Sequence, residues 1–455
     1  DELGPYVLSR AGTIRLNVYQ TNAIDNDLAS DDPEAARIKR RREKYREGFD
    51  YILGNPPYLE AKKMPATVKE TCRKRWPEIA GAFDLYVPFI LQCNRLLADE
   101  GKVSLILPDK FTVAGYARSL RERLLRDFSL VEMADLSGMD VFSRAMVYPI
   151  VLSYEKRRPT DGHHVRTRTS VVSPAGLAPE GISAIVPQDL YRSVGHNCTF
   201  FGLPAGGDVA GMLKRIFDDG VPLGDYVSFR STVSFHVKGL REQFVRRAFD
   251  RANGPVLKYL GGRSYAKRNE VGLFRFRWEG YHINYDREAL KSLNNALPPL
   301  SNFTQEKIVL CQHAPRITAA YDAAGEFVTK DVYPIGLAMP GLTRSSLSLK
   351  YLAALLNSEL MSFVYGTIYK GVQIGGGYYH YLPTWIDVLP VIAPAAGDVR
   401  RVERLADAMI SIDDEASRFR CVNDVDEIVY RAYDISDTQQ AIISKAVPAW
   451  GPQVG

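Results

Sequence analysis

The run Phe49-Asp50-Tyr51-Ile52-Leu53-Gly54 passes directly into Asn55-Pro56-Pro57-Tyr58. A short apolar stretch closed by glycine reads as a buried strand. Two consecutive prolines can neither continue a ladder nor enter a helix interior, so the strand must end on a stiff polar corner. In an open α/β sheet, ligands bind in the crevice beyond the carboxyl ends of the strands. Asn55 can accept a hydrogen bond there through its side-chain oxygen. Pro57 restricts Pro56 and helps aim the Pro56 carbonyl at the same donor. Tyr58 offers a face on which a planar base could stack, worth roughly 1–3 kcal/mol. Two acceptors converging on an exocyclic NH2 would localise its lone pair and make the nitrogen nucleophilic without prior loss of a proton. A plain turn after a strand is the alternative, and the preceding apolar run weighs against it.

Outward from this corner, Phe83 to Leu97 carries one apolar stripe and reads as a helix closed by Gly101. Val103–Pro108 reads as a buried strand, 116–127 as a helix, Ser129–Asp135 as a strand and Val147–Tyr154 as another. Upstream, Thr13–Tyr19 alternates like a strand, and 33–46 reads as a short exposed charged helix. Strands alternating with helices predict an α/β domain with a largely parallel sheet over 1–160. Residues 156–165 are polar and suggest a surface excursion. From 185 to 395, short runs rich in Tyr, Phe, Gly and Arg predict a mixed α+β domain, with helices over Val209–Phe217 and Leu347–Tyr365, the latter capped by Ser348. A short helical segment, 398–455, follows, with helices at Val399–Ser411 and Asp424–Tyr433 and a continuation after Ser436.

The 455 residues are 46% hydrophobic and 24% charged, an ordinary globular balance that argues against a largely disordered chain. Lys and Arg number 58 against 53 Asp and Glu, a net charge of +5, which excludes a polycation but allows a local basic cleft. No stretch reaches the roughly 18 apolar residues of a membrane span. Cys72, Cys93, Cys198, Cys311 and Cys421 are scattered singly, as reduced thiols of a cytoplasmic protein would be. No histidine or cysteine spacing suggests a metal site. The absence of an initiator Met and of a signal peptide points to a piece of a longer intracellular chain.

Asn55-Pro56-Pro57-Tyr58 resembles the catalytic motif of S-adenosylmethionine-dependent amino-methyltransferases, chiefly the DNA adenine-N6 class of type II restriction-modification and phage-defence systems. Asp84-Leu85-Tyr86, Gly101-Lys102-Val103 and Leu107-Pro108-Asp109-Lys110-Phe111 are similar to the segments that follow that motif. Asp140-Val141-Phe142 resembles the motif whose aromatic packs on the flipped adenine, which implies that role for Phe142. Glu306–Val309, Ala353–Met361 and Leu389-Pro390 are similar to the target-recognition domain, and Val425–Tyr430 to its closing segment. The resemblance therefore implies a partial Rossmann-like methyltransferase sheet, a target-recognition domain and S-adenosylmethionine as cofactor. It implies double-stranded DNA as partner, base flipping, and a prokaryotic cytoplasmic enzyme. The Gly-rich cofactor loop of the family has no counterpart here, and only 54 residues precede the motif. Asn22 and Ala23 resemble the strand end beside the cofactor adenine. An N-terminal region or a partner chain is expected to carry the loop and any nuclease.

Flipping a stacked adenine costs a few kcal/mol, to be recovered from phosphate and base-edge contacts. Basic and aromatic residues interleave at 263–269 and 275–278, and again at 369–381, which makes Arg263, Lys267, Arg268, Arg277, Lys370, Gln373, Tyr378 and Tyr379 the candidate DNA contacts. Two other readings stand beside this one. The chain could be a non-catalytic DNA-binding subunit with a degenerate methyltransferase fold, or a protein glutamine-N5 methyltransferase, which shares the tetrapeptide.

Overall fold

A computed structural model gives the fold. It describes residues 48–193, 207–261, 270–337 and 347–450, without positions 80, 137, 138, 140, 142–147, 169, 170, 172, 178–180, 182, 183, 331, 370–372, 375 and 376. The strand at 13–19 and the helix at 33–46 lie outside the described residues.

The first part is one six-stranded sheet of β1 (Phe49–Gly54), β2 (Leu97–Pro108), β3 (Ser129–Asp135), β4 (Pro149–Glu155), β5 (His164–Arg168) and β6 (Ala184–Pro187). Its order is β1-β2-β4-β3-β5-β6. Helices α1 (Tyr86–Leu96) and α2 (Arg118–Asp127) pack on it. The expectation of a largely parallel sheet is corrected. β1–β2 and β3–β5 are parallel, but β2–β4, β3–β4 and β5–β6 are antiparallel. The reason lies in the strand order: β4 inserts between β2 and β3 and runs antiparallel to both. The sheet also runs past residue 160 to Pro187, and the polar stretch at 156–165 ends inside β5.

β1 forms where expected but is not buried. Phe49 is 46% exposed, Tyr51 72% and Leu53 79%. Among the described residues it is the edge of the sheet, and Phe49, Tyr51 and Leu53 on one face lack cover, while Ile52 and Gly54 lie half-buried. Its pairing with β2 slips between Phe49 and Tyr51. There Glu100, at φ 61°, and Gly101 kink β2. A Cβ on Gly101 would stand 2.8 Å from the Phe49 carbonyl oxygen, so only glycine lets the two strands close.

The second part starts from α3 (Gly207–Asp219). One four-stranded sheet joins Ala319–Asp322, Lys307–Cys311, Val332–Leu337 and Val227–Phe229, and another joins Phe327–Thr329, Val256–Leu260, His282–Asn284 and Val245–Arg246. The helix expected over Leu347–Tyr365 is two helices, α4 (Leu349–Leu356) and α5 (Glu359–Ile368). Ser348 caps the first, accepting from the Tyr351 amide at 3.1 Å, and Ser358 caps the second, accepting from Met361 at 3.3 Å. Buried Asn357 breaks the run because its amide group pairs with both the N–H and the C=O of Ala319, each at 2.9 Å. The last helices are α6 (Ala396–Ser411), α7 (Glu415–Ala432) and α8 (Asp437–Ala446). α7 is longer than the sequence suggested because Asp414 caps it, accepting from the Ser417 amide at 2.8 Å. A single apolar core runs from Met64 to Val447 and joins all of these parts. A smaller core lies between Val233 and Val328.

Candidate functional site

The pairing of Gly54 with Leu105 sets the Asn55–Tyr58 corner level with the carboxyl end of β2. Asn55 and Pro57 are exposed, Pro56 is buried and Tyr58 is half-buried. The Tyr58 hydroxyl donates to the Ile106 carbonyl at 2.8 Å, which pins the ring across the ends of both strands. Burial pushes that hydroxyl up to about 12, so it stays a donor at neutral pH. The corner thus presents an exposed amide beside a buried, rigid backbone and a fixed ring. No carboxylic acid or thiol stands in the tetrapeptide, so it suits holding an amino group more than proton shuttling.

The chain just after the corner is held by Asp84, a carboxylate only 7% exposed at the start of α1. Its Oδ1 accepts from the Ala61 amide at 3.0 Å and its Oδ2 from the Tyr116 hydroxyl at 2.6 Å. Lys110 Nζ lies 3.5 Å from Oδ2. Tyr86 and Tyr116 share a hydrogen bond of 2.9 Å, and the Leu85 amide donates to Leu59 at 3.0 Å. Burial pushes the Tyr116 hydroxyl far above the ordinary phenol range, so it remains protonated and donates to the carboxylate. The loop bearing Lys110 and Tyr116 has its own strut. Fully buried Arg121 on α2 donates from Nη1 to the carbonyls of Phe111 at 2.7 Å and Ala114 at 2.8 Å. Sequence reasoning gave neither Asp84 nor Arg121 a role. A lone acid at a helix start and a lone Arg on an apolar stripe were the available signals.

Of the other candidates, Phe142, Asn22, Ala23, Arg263, Lys267, Arg268 and Lys370 lie outside the described residues. Gln373 sits on a two-residue strand, Gln373–Ile374, paired with Tyr378–His380. Tyr378 is half-buried there. Tyr379 packs edge-on to Tyr365 at 6.2 Å, its hydroxyl 3.1 Å from where a Cβ on Gly366 would stand. Arg277 is on a different element, beyond the hairpin of Val271–Gly272 with Arg275–Phe276, and faces Glu415 at 3.7 Å. The basic residues of 275–278 and the aromatic hairpin at 373–380 therefore do not share a strand pair.

Residues 9–142 match the Eco57I restriction-modification methylase family, and residues 264–391 match the TaqI-like C-terminal specificity domain. The chain is 34% identical to the type II methyltransferase M.XhoI of Xanthomonas vasicola over 112 residues, 24% of this chain and 20% of that protein. It is 24% identical over 398 residues to a putative type II restriction enzyme and methyltransferase, RM.MjaORFECS2P, of Methanocaldococcus jannaschii, covering 85% of this chain and 31% of that protein. The chain thus spans a fifth to a third of the length of these curated relatives. Among solved structures, the type IIL restriction-modification enzyme MmeI in complex with DNA superposes with a TM-score of 0.53 at 12% identity, over 92% of this chain and 58% of that one. That likeness is one of fold.

Proposed function

We propose that this chain, a restriction-modification methylase segment joined to a TaqI-like specificity domain, is the catalytic and recognition portion of a site-specific DNA methyltransferase. In this reading it transfers a methyl group from S-adenosylmethionine to the N6 amino group of a flipped adenine. The observation that carries it is the Asn55–Tyr58 corner at the paired ends of β1 and β2, its ring fixed by the Ile106 carbonyl. The Asn55 side-chain oxygen and the Pro56 carbonyl accept the two amino hydrogens and keep the nitrogen lone pair out of the ring. Tyr58 stacks on one face of the base, and Phe142 is assigned the other. Asp84 keeps the chain after the corner from drifting. The exposed amide and the lack of any charged group in the tetrapeptide fit a neutral amine nucleophile facing a cationic methyl donor. When bound, the sulfonium cofactor supplies the electrophilic methyl; Asn22 and Ala23 are assigned to its adenine end. The amino nitrogen would form the new N–CH3 bond as the methyl's bond to the sulfonium sulfur breaks and leaves a neutral thioether, and the surplus proton on nitrogen would pass to water.

Arg263, Lys267, Arg268, Arg277, Lys370, Gln373, Tyr378 and Tyr379 are assigned to the DNA. Of the division into 1–160, 185–395 and 398–455, the three-part order is kept as a proposal and the first boundary moves to Pro187, where β6 ends. The exposed edge of β1, with Tyr51 and Leu53 bare, supports a further strand there from the N-terminal region or a partner chain that also brings the cofactor loop. The single, scattered cysteines of the sequence support a prokaryotic cytoplasmic location. No helix among the described residues is long and apolar enough to cross a membrane.

The test is mass spectrometry of duplex DNA incubated with the full protein and S-adenosylmethionine. N6-methyladenine is expected, and Asn55→Ala should abolish it while duplex affinity stays unchanged. N4-methylcytosine would overturn the choice of base, methylation surviving in Asn55→Ala the site, and a methylated protein glutamine the substrate.

A further inference from the structure

A small pocket lies away from the catalytic corner, where the specificity domain meets the C-terminal helices. Its walls are the hairpin Val271–Gly272 with Arg275–Phe276, Arg277, Thr318, the first turn of α7 and Trp450. The cavity measures about 70 Å³. One water needs roughly 10–15 Å³, so several waters or one tetrahedral oxyanion fit and a nucleobase does not.

Three guanidinium groups face this space, those of Arg275, Arg277 and Arg418, against one carboxylate, Glu415. The acids at the rim are already engaged: Asp413 lies 3.2 Å from Arg275, and Glu415 lies 3.7 Å from Arg277. Arg418 is different. It is 6% exposed, and its Nε is buried without a hydrogen-bond partner. The indole Nε1 of Trp450, in the same wall, is also buried and unpartnered. So is the Nε of Arg316, whose guanidinium stands 4.2 Å from the centre of the Trp450 ring. Buried N–H groups nearly always find an acceptor, and the two orphaned donors in this wall, Arg418 Nε and Trp450 Nε1, mark a missing one; Arg316 itself does not line the pocket. Burial, then the charges of Arg275 and Arg277, push the Arg418 guanidinium below its ordinary value despite Glu415 and Asp413. The amino end of α7 adds its dipole.

We propose that this pocket binds an oxyanion of the phosphate class, with Arg418 and Trp450 Nε1 as its inner donors and Arg275 and Arg277 at its mouth. Guanidinium forks converging from a hairpin and a helix suit several oxygens at once, the pattern of a phosphate more than of a planar carboxylate. The phosphate could belong to the backbone of a bound duplex or to a free phosphorylated small molecule. The inference does not depend on methyl transfer, since it uses no residue of the catalytic corner.

Thermal unfolding of the full protein in inorganic phosphate, against chloride at equal ionic strength, is the first measurement. Phosphate should raise the Tm, and Arg418→Met should abolish the rise. Trp450→Phe keeps the ring and removes only the N–H, so it tests the site even if Arg418→Met fails to fold. It should weaken phosphate binding about tenfold. Salt titration of duplex binding separates the two sources. If the phosphate is the backbone's, both variants weaken binding to every sequence alike and lower the slope against log salt by about one. If it is a free ligand, duplex affinity is unchanged while the phosphate effect is lost. A phosphate effect that Trp450→Phe leaves intact would overturn the proposal. So would the absence of any phosphate effect together with unchanged duplex binding in both variants.

Discussion

Tyr116 donates its phenolic hydrogen to Asp84 across 2.6 Å, tying together two loops 32 residues apart. Through the other oxygen of Asp84 the tie reaches the Ala61 amide, three residues beyond Tyr58. The carboxylate therefore links the Asn55–Tyr58 corner to the loop that carries Lys110. In the proposed reading it touches no reacting atom, so its effect on methyl transfer passes through the position of the corner.

Asp84→Asn keeps an acceptor for Ala61 but loses the charge facing Lys110 and offers the Tyr116 hydroxyl an amide in place of a carboxylate. A charge-assisted hydrogen bond contributes about 1.5–3 kcal/mol. Loosened positioning is expected to lower the methylation rate by about 10²-fold while duplex affinity is unchanged. Tyr116→Phe should act in the same direction and more weakly. Single-turnover methylation set beside a binding titration measures both, and equal losses in rate and affinity would assign Asp84 to DNA binding.

Arg121 supports the same loop from beneath. Arg121→Met leaves the Phe111 and Ala114 carbonyls buried without their donor, at a cost of about 2–4 kcal/mol in unfolding free energy. Urea denaturation should show a lower midpoint with an unchanged slope. A change below about 0.5 kcal/mol would mean that water replaces the guanidinium.

Lys307 and Asp322 form a buried ion pair in the specificity domain, 0% and 3% exposed at the side chain. Lys307 also donates to the Phe303 carbonyl at 2.6 Å, while Asp322 accepts from the amides of Glu326 at 3.0 Å and Phe327 at 3.1 Å. Lys307→Met strands the carboxylate and should cost about 3–5 kcal/mol. Adding Asp322→Asn removes the stranded charge and keeps an acceptor for one of the two amides, so the double variant should recover part of the loss. A double variant less stable than the single would show that the ionised carboxylate itself holds this turn.

The elements around the corner were legible because their signals are local. Gly54 followed by two prolines ends a strand in any context, and Ser129–Asp135 was bounded correctly because Phe128 leaves the helix just before it. What could not be read depended on partners distant in the chain. Strand direction was misjudged because the alternation of helices and strands does not say that β4 inserts between β2 and β3. β1 looked buried because an apolar run carries no information about whether the sheet has a neighbour on that side. The break at Asn357 was hidden because its partner, Ala319, is 38 residues away. Arg418 gave no signal, because it precedes the helix expected at Asp424–Tyr433 and the hairpin at 271–276 that shares its pocket is far away in the chain.

Asp426 makes stability depend on pH. It is 5% exposed on α7, and its Oδ1 accepts from the Glu359 amide at 2.8 Å. Burial raises its carboxyl to about 7, against the hydrogen bond from the Glu359 amide and the charge of Arg316, while the Glu359 carboxylate adds a smaller push upward. In the unfolded chain the same group ionises near about 3.9. Below about pH 4 it is protonated in both states and exerts no effect. Between about pH 4 and 7 the unfolded chain gives up this proton and the folded chain does not, so stability falls by roughly 1.4 kcal/mol per pH unit. Above about pH 7 the loss is complete, on the order of 4 kcal/mol. Asp426→Asn keeps the acceptor for the Glu359 amide and cannot titrate. Urea denaturation of both proteins from about pH 4 to pH 8 should show the variant gaining on the parent as pH rises, with most of the gain before pH 7. A stability difference constant across that range would mean that Asp426 ionises as an ordinary carboxylate, charged in the folded protein and paired with Arg316.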